Sequence, residues 1–141
     1  MNINNQPGIL FKNIILTKLN FSRSAEHIEN PDLAVDFTAA KKIENNVLMF
    51  ELSSKIFEKN KKDAFELSCS MVGYFSTDEE NPNMSLEKFS EYNAPALMLP
   101  YIREVVANTT LRSGLKPVIL PPFNIVALIN KNKQNEQNIE K

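Results

Sequence analysis

Among its 141 residues the chain has one cysteine, one histidine, three glycines and no tryptophan. Each shortage removes a class of chemistry. A lone cysteine, Cys69, excludes an intramolecular disulfide, and its place in an apolar alternating run makes it a small buried hydrophobe. His27 sits in a polar stretch and no third group stands ready to orient a His27–Cys69 pair, so no catalytic residue is assigned. No histidine or cysteine cluster has metal-ligand spacing, and three glycines cannot build a phosphate-cradling loop, so neither metal nor cofactor is expected. The acidic run Asp78-Glu79-Glu80 has no companion cluster and reads as a solvated loop end. A net charge of −1 gives no bulk attraction for a polyanion, which argues against nucleic acid as a partner. No uncharged run approaches the roughly 20 residues of a membrane span. The start M-N-I-N-N-Q-P-G lacks a basic region followed by an apolar one, so the expected location is cytoplasmic.

What the chain does have is apolar surface, with nine Phe, three Tyr and five Met. It concentrates in Asn93–Leu128. Pro95 suits the first turn of a helix, Gly114 suits its left-handed stop, and Lys116-Pro117 blocks a restart. Pro100 is expected to kink or split that helix. From Ala94 to Leu111 the only charges are Arg103 and Glu104. Neighbours on a helix diverge, so each should meet other groups; the plain reading is a buried structural ion pair, the alternative an anion site. A helix apolar over most of its circumference must be clamped between layers of its own chain or covered by another subunit.

Upstream the period changes to two. Ile9–Phe21 is rich in strand formers, although periodicity leaves a helix open there. Asp32–Ala40 alternates cleanly, with Leu33, Val35 and Phe37 on one face. Val47–Phe57 and Ala64–Phe75 follow, the latter with Phe65, Leu67, Cys69 and Met71 on one face. Gly73 signals a bulge or a close backbone approach. Glu44-Asn45-Asn46 and Glu58–Asp63 supply the turns, and Ser85 can cap a short helix. These features predict an α+β fold: a four-stranded antiparallel sheet with one long and one short C-terminal helix. The domain spans 9–130, between a disordered N-terminus (1–8) and a disordered polar tail (131–141). Periodicity alone makes the Leu33-Val35-Phe37 stripe core, with a partner groove as the alternative.

From Pro95 the chain also resembles the SecB family of bacterial protein-export chaperones. The residues that carry the likeness are Pro95, Pro100, Tyr101, Arg103 and Glu104, then Arg112 and Gly114, then P-V-I-L-P-P-F-N-I-V-A-L from Pro117. Collinear similarity extends upstream through Ile15–Lys18, Pro31–Phe37 and Phe65–Phe75.

The resemblance implies an ATP-independent holdase, assembled as a dimer of dimers, that binds unfolded, export-bound polypeptides in hydrophobic grooves and passes them to the SecA motor. Carried over by position, the client surface is Leu33, Val35, Phe37, Tyr74, Phe75, Leu120, Phe123 and Leu128. The subunit contact is Leu97, Tyr101 and Val105, with Arg103 and Glu104. Motor-docking members carry acidic residues at the end of the first strand; here Lys18–Arg23 contains none. A SecB-like chaperone dedicated to one client such as an antitoxin, without motor delivery, is the alternative.

Overall fold

A computed structural model describes residues 8–26, 31–61, 64–77 and 84–140, with side chains up to 133. His27 and Asp78–Glu80 lie outside the described residues, as do residues 1–7 of the expected disordered N-terminus. Four strands, β1 (Leu10–Arg23), β2 (Leu33–Glu44), β3 (Val47–Glu58) and β4 (Phe65–Ser76), precede three helices, α1 (Leu86–Tyr92), α2 (Ala94–Arg112) and α3 (Ile125–Glu140). The strands form one antiparallel sheet in the order β1-β4-β3-β2. The β2–β3–β4 meander follows the alternating runs, and β1 adds beside β4 rather than beside its neighbour in sequence.

The β2–β3 hairpin closes on Asn45 and Asn46, whose φ values of 52° and 61° are those of a tight two-residue turn. Asparagine tolerates that left-handed backbone, and its twist matches the flanking strands. Register from Leu33↔Glu58 to Glu44↔Val47 is unbroken. It therefore sends Leu33, Val35 and Phe37 to the same face as Ile56, Leu67, Cys69 and Phe75. That face carries the core. The opposite face shows Ser53, Ser68 and Ser70, with Ser53 and Ser70 hydroxyls 2.8 Å apart.

All three helices cover the core face. Ser85 caps α1 by accepting the Lys88 N–H at 3.2 Å. In α2, Ala94, Met98, Ile102, Val106 and Thr110 recur every fourth residue, and all are 0% exposed. The helix is continuous through Pro100, so it is not split there. Pro100 faces solvent while Met98, Leu99 and Ile102 around it are buried, so packing outweighs the lost backbone bond. The left-handed Gly114 (φ 80°) follows its end. Gly73 marks a close approach and not a bulge of its own strand: a methyl there would meet Met98 Sδ at 2.9 Å. Burial pushes the Cys69 thiol up to about 11, which keeps it neutral and unreactive.

The third helix lies against β2, and the Asn132 side-chain amide donates to the Phe37 carbonyl at 2.6 Å. It runs on to Glu140, beyond the residue 130 at which sequence composition ends the ordered domain.

Candidate functional site

Between α2 and α3 the chain crosses the core face through residues 113–124. Pro117, Pro121 and Pro122 keep this stretch extended, because proline fixes φ and donates no hydrogen bond. Three side chains fix its course. Arg23 donates from Nη1 to the Ser113 carbonyl at 3.1 Å. The Val118 N–H donates to Thr110 Oγ1 at 2.9 Å. Arg103 donates from Nε to the Leu120 carbonyl at 2.9 Å.

The segment thus held forms one wall of a 510 Å³ groove. Val118, Ile119, Leu120, Pro121 and Phe123 supply that wall; Leu33, Ala34 and Val35 of β2 supply the other, with Leu128 of α3 at one end. A smaller 70 Å³ cavity, lined by Pro31, Phe65, Leu115 and Lys116, shares Leu33 and Val118 with it. Among the described residues Lys59 is the only charged one lining the larger groove, and its amine lies 3.6 Å from Asp32 in a largely exposed ion pair. Such a pair contributes little energy. Ile119 stands 72% exposed at the rim. An aliphatic side chain that open to water is an unmet burial demand.

Five of the eight residues assigned to the client surface meet here: Leu33, Val35, Leu120, Phe123 and Leu128. The other three do not. Phe37 and Phe75 are 0% exposed in the core, Phe37 edge-on to Phe123 with ring centroids 5.6 Å apart. Tyr74 projects from the opposite face of the sheet, as its place between inward Gly73 and Phe75 requires. Sequence reasoning missed Val118, Ile119 and Pro121, although the Pro-rich apolar run 117–123 was a signal for an extended, exposed segment.

The residues assigned to a subunit contact also separate. Leu97 and Tyr101 stand 45% and 38% exposed on the outer side of α2, while Val105 packs partly on the core. Tyr101 meets Phe11 of β1 edge-on. Along β1, Leu16 and Leu19 lie on the core face and are nevertheless exposed. Arg103 and Glu104 form no buried ion pair: Glu104 faces solvent, and Arg103 turns to the Leu120 carbonyl. Among the described residues no group of three His, Cys, Asp or Glu could hold a metal, and no helix is long and apolar enough to cross a membrane.

A four-stranded antiparallel sheet, helices on one face and an apolar groove beneath an extended crossing segment together define an α+β scaffold with an open apolar groove. The comparisons agree. Residues 5–136 match the model of the family described as preprotein translocase subunit SecB. The chain is 26% identical over 114 residues to the protein-export protein SecB of Rickettsia bellii, covering 80% of this chain and 74% of that one. It is 29% identical over 112 residues to the same-named protein of Nitrosospira multiformis, covering 78% and 70%. An uncharacterized protein of Methanocaldococcus jannaschii is 34% identical over 92 residues, 62% of this chain and 59% of its own length. Among solved structures, the fold matches the SecB-like chaperone of Mycobacterium tuberculosis in complex with a ChAD peptide from an antitoxin. That match has a TM-score of 0.68 at 15% identity and covers 82% of this chain and 88% of that one. The chain belongs to the SecB family and is a non-enzymatic chaperone of that family.

Proposed function

We propose that the chain is an ATP-independent holdase that binds non-native polypeptides in the groove between β2 and segment 113–124. The observation that carries this reading is the apolar groove itself, with Ile119 presented to water at its rim. An unfolded segment offers Leu- and Phe-sized side chains, each contributing roughly 1.5–3 kcal/mol when buried. With one charge at the margin, little selects a sequence. The ordering entropy of the client keeps such binding reversible.

Delivery in protein export is the reading that the names of the Rickettsia and Nitrosospira relatives favour. A specific observation favours a second reading, a chaperone with one dedicated client and no motor delivery. The end of β1 carries no acid between Lys18 and Arg23, and the outer sheet face is serine-rich, with Glu66 paired to Lys55 at 3.3 Å. The mycobacterial SecB-like chaperone, solved in complex with a ChAD peptide from an antitoxin, supports considering that reading.

Light scattering of an aggregating, chemically unfolded protein tests the choice, with the chain titrated in the absence of nucleotide. Suppression at stoichiometric ratios of chaperone is expected. No suppression by a correctly assembled chain would favour the dedicated client, to be sought by pull-down.

The outer side of α2 and the uncovered part of β1 are proposed as the contact between copies in a dimer of dimers. Leu97, Tyr101, Leu16 and Leu19 supply its apolar area. The double substitution Leu97→Glu and Tyr101→Glu is expected to reduce the sedimenting species from a multiple of the 16.0 kDa chain toward a single copy. An unchanged mass would exclude that face.

A further inference from the structure

Thr110 occupies a position where an apolar side chain would be the ordinary choice. It closes the inward stripe of α2 and is 0% exposed. Threonine has a lower helix propensity than leucine or alanine, and its hydroxyl must find partners in apolar surroundings. The proton is used within the helix, toward the Val106 carbonyl at 2.8 Å and the Ala107 carbonyl at 3.2 Å. Such bonds to the preceding turn satisfy the group without strengthening the helix. The lone pair does something else: it accepts the Val118 N–H from the crossing segment at 2.9 Å.

Val118 belongs to both cavities of the groove, and the exposed Ile119 follows it directly. A second contact, Arg103 Nε to the Leu120 carbonyl, fixes the chain two residues further on. Ile119 is therefore held between two backbone anchors, each supplied by a side chain of α2. We infer that Thr110 is a positioning residue of the groove, whose hydroxyl latches the backbone at Val118 so that Ile119 stands open to a ligand. This inference rests on the groove being the client site.

The test uses the full chain in its native assembly. Thr110→Val keeps the shape of the side chain and removes the acceptor; Thr110→Ser keeps the acceptor and removes a methyl. Two quantities are read: hydrogen exchange at the Val118 amide, and Kd for a reduced, carboxymethylated protein that stays unfolded in buffer. Thr110→Val is expected to speed Val118 exchange at least roughly tenfold and to raise Kd about 5- to 30-fold, as losing one buried hydrogen bond implies. The sedimenting mass should not change, and Thr110→Ser should restore both readouts to within about twofold. Unchanged Val118 exchange in Thr110→Val would overturn the inference, as would faster exchange with unchanged Kd, or a serine variant that behaves like valine. If Thr110→Val does not fold, Val118→Pro removes the donor from the half-buried segment instead, and an unchanged Kd there overturns the latch. Failure of the unsubstituted chain to bind the probe would count against the holdase reading, while the exchange comparison would still decide the latch.

Discussion

Replacing Ile119 with Asp is expected to weaken binding of an unfolded client by roughly 10- to 100-fold while shifting the melting temperature by no more than about 2 °C. The two halves of this expectation have separate causes. Ile119 is 72% exposed, so the folded chain gains little from it, and surface changes of this kind usually cost under about 0.5 kcal/mol. A client side chain seated on it would lose apolar contact worth roughly 1.5–3 kcal/mol and would meet a carboxylate that binding must desolvate. Fluorescence anisotropy of a labelled, permanently unfolded protein gives the affinity, and a thermal melt gives the stability. Undiminished affinity would show that clients bind elsewhere. A large fall in melting temperature would mean that Ile119 packs within the chain.

Phe37→Ala is expected to do the reverse. Phe37 is 0% exposed, edge-on to Phe123, and its own carbonyl is held by Asn132. Truncating a buried phenylalanine leaves a cavity and costs about 3–5 kcal/mol, which for a domain of this size lowers the melting temperature by roughly 10–20 °C. Client affinity measured well below the new midpoint should change far less than with Ile119→Asp, apart from the disturbance passed on through Phe123. Equal stability with lost client binding would place Phe37 in the groove after all.

The pair shows where the sequence could be read and where it could not. Alternation from Leu33 to Phe37 fixed the inward face correctly, because a strand sends every second residue the same way regardless of tertiary context. It could not give depth along that face. Leu33 and Val35 open into the groove and Phe37 does not, and the difference comes from where α3 and segment 113–124 lie across the sheet. Likewise the charge pattern singled out Arg103 and Glu104, but an ion pair is one partner among several for a guanidinium. The Leu120 carbonyl lies 17 residues along the chain from Arg103, a separation without sequence signature. The helix stop at Gly114, the Ser85 cap and the Asn45–Asn46 turn were legible because each depends on local backbone geometry alone. At Pro100 the split did not occur, because the buried residues on both sides of it hold one helix together despite the lost backbone bond. The apolar helix was read as needing cover on most of its circumference; the chain itself supplies that cover along one stripe, leaving Leu97 and Tyr101 open.

The contact from Asn132 to the Phe37 carbonyl bears on a hazard that any chain-binding protein faces. β2 is an edge strand, and an open edge beside an apolar groove invites an unfolded polypeptide to add as a further strand, in a register that could propagate to the next molecule. The third helix packs against β2, and Asn132 already occupies one β2 carbonyl, which leaves fewer main-chain groups free to template cross-β growth. A holdase of the kind proposed would gain from that contact, because each edge group already paired is one fewer for a bound chain to extend.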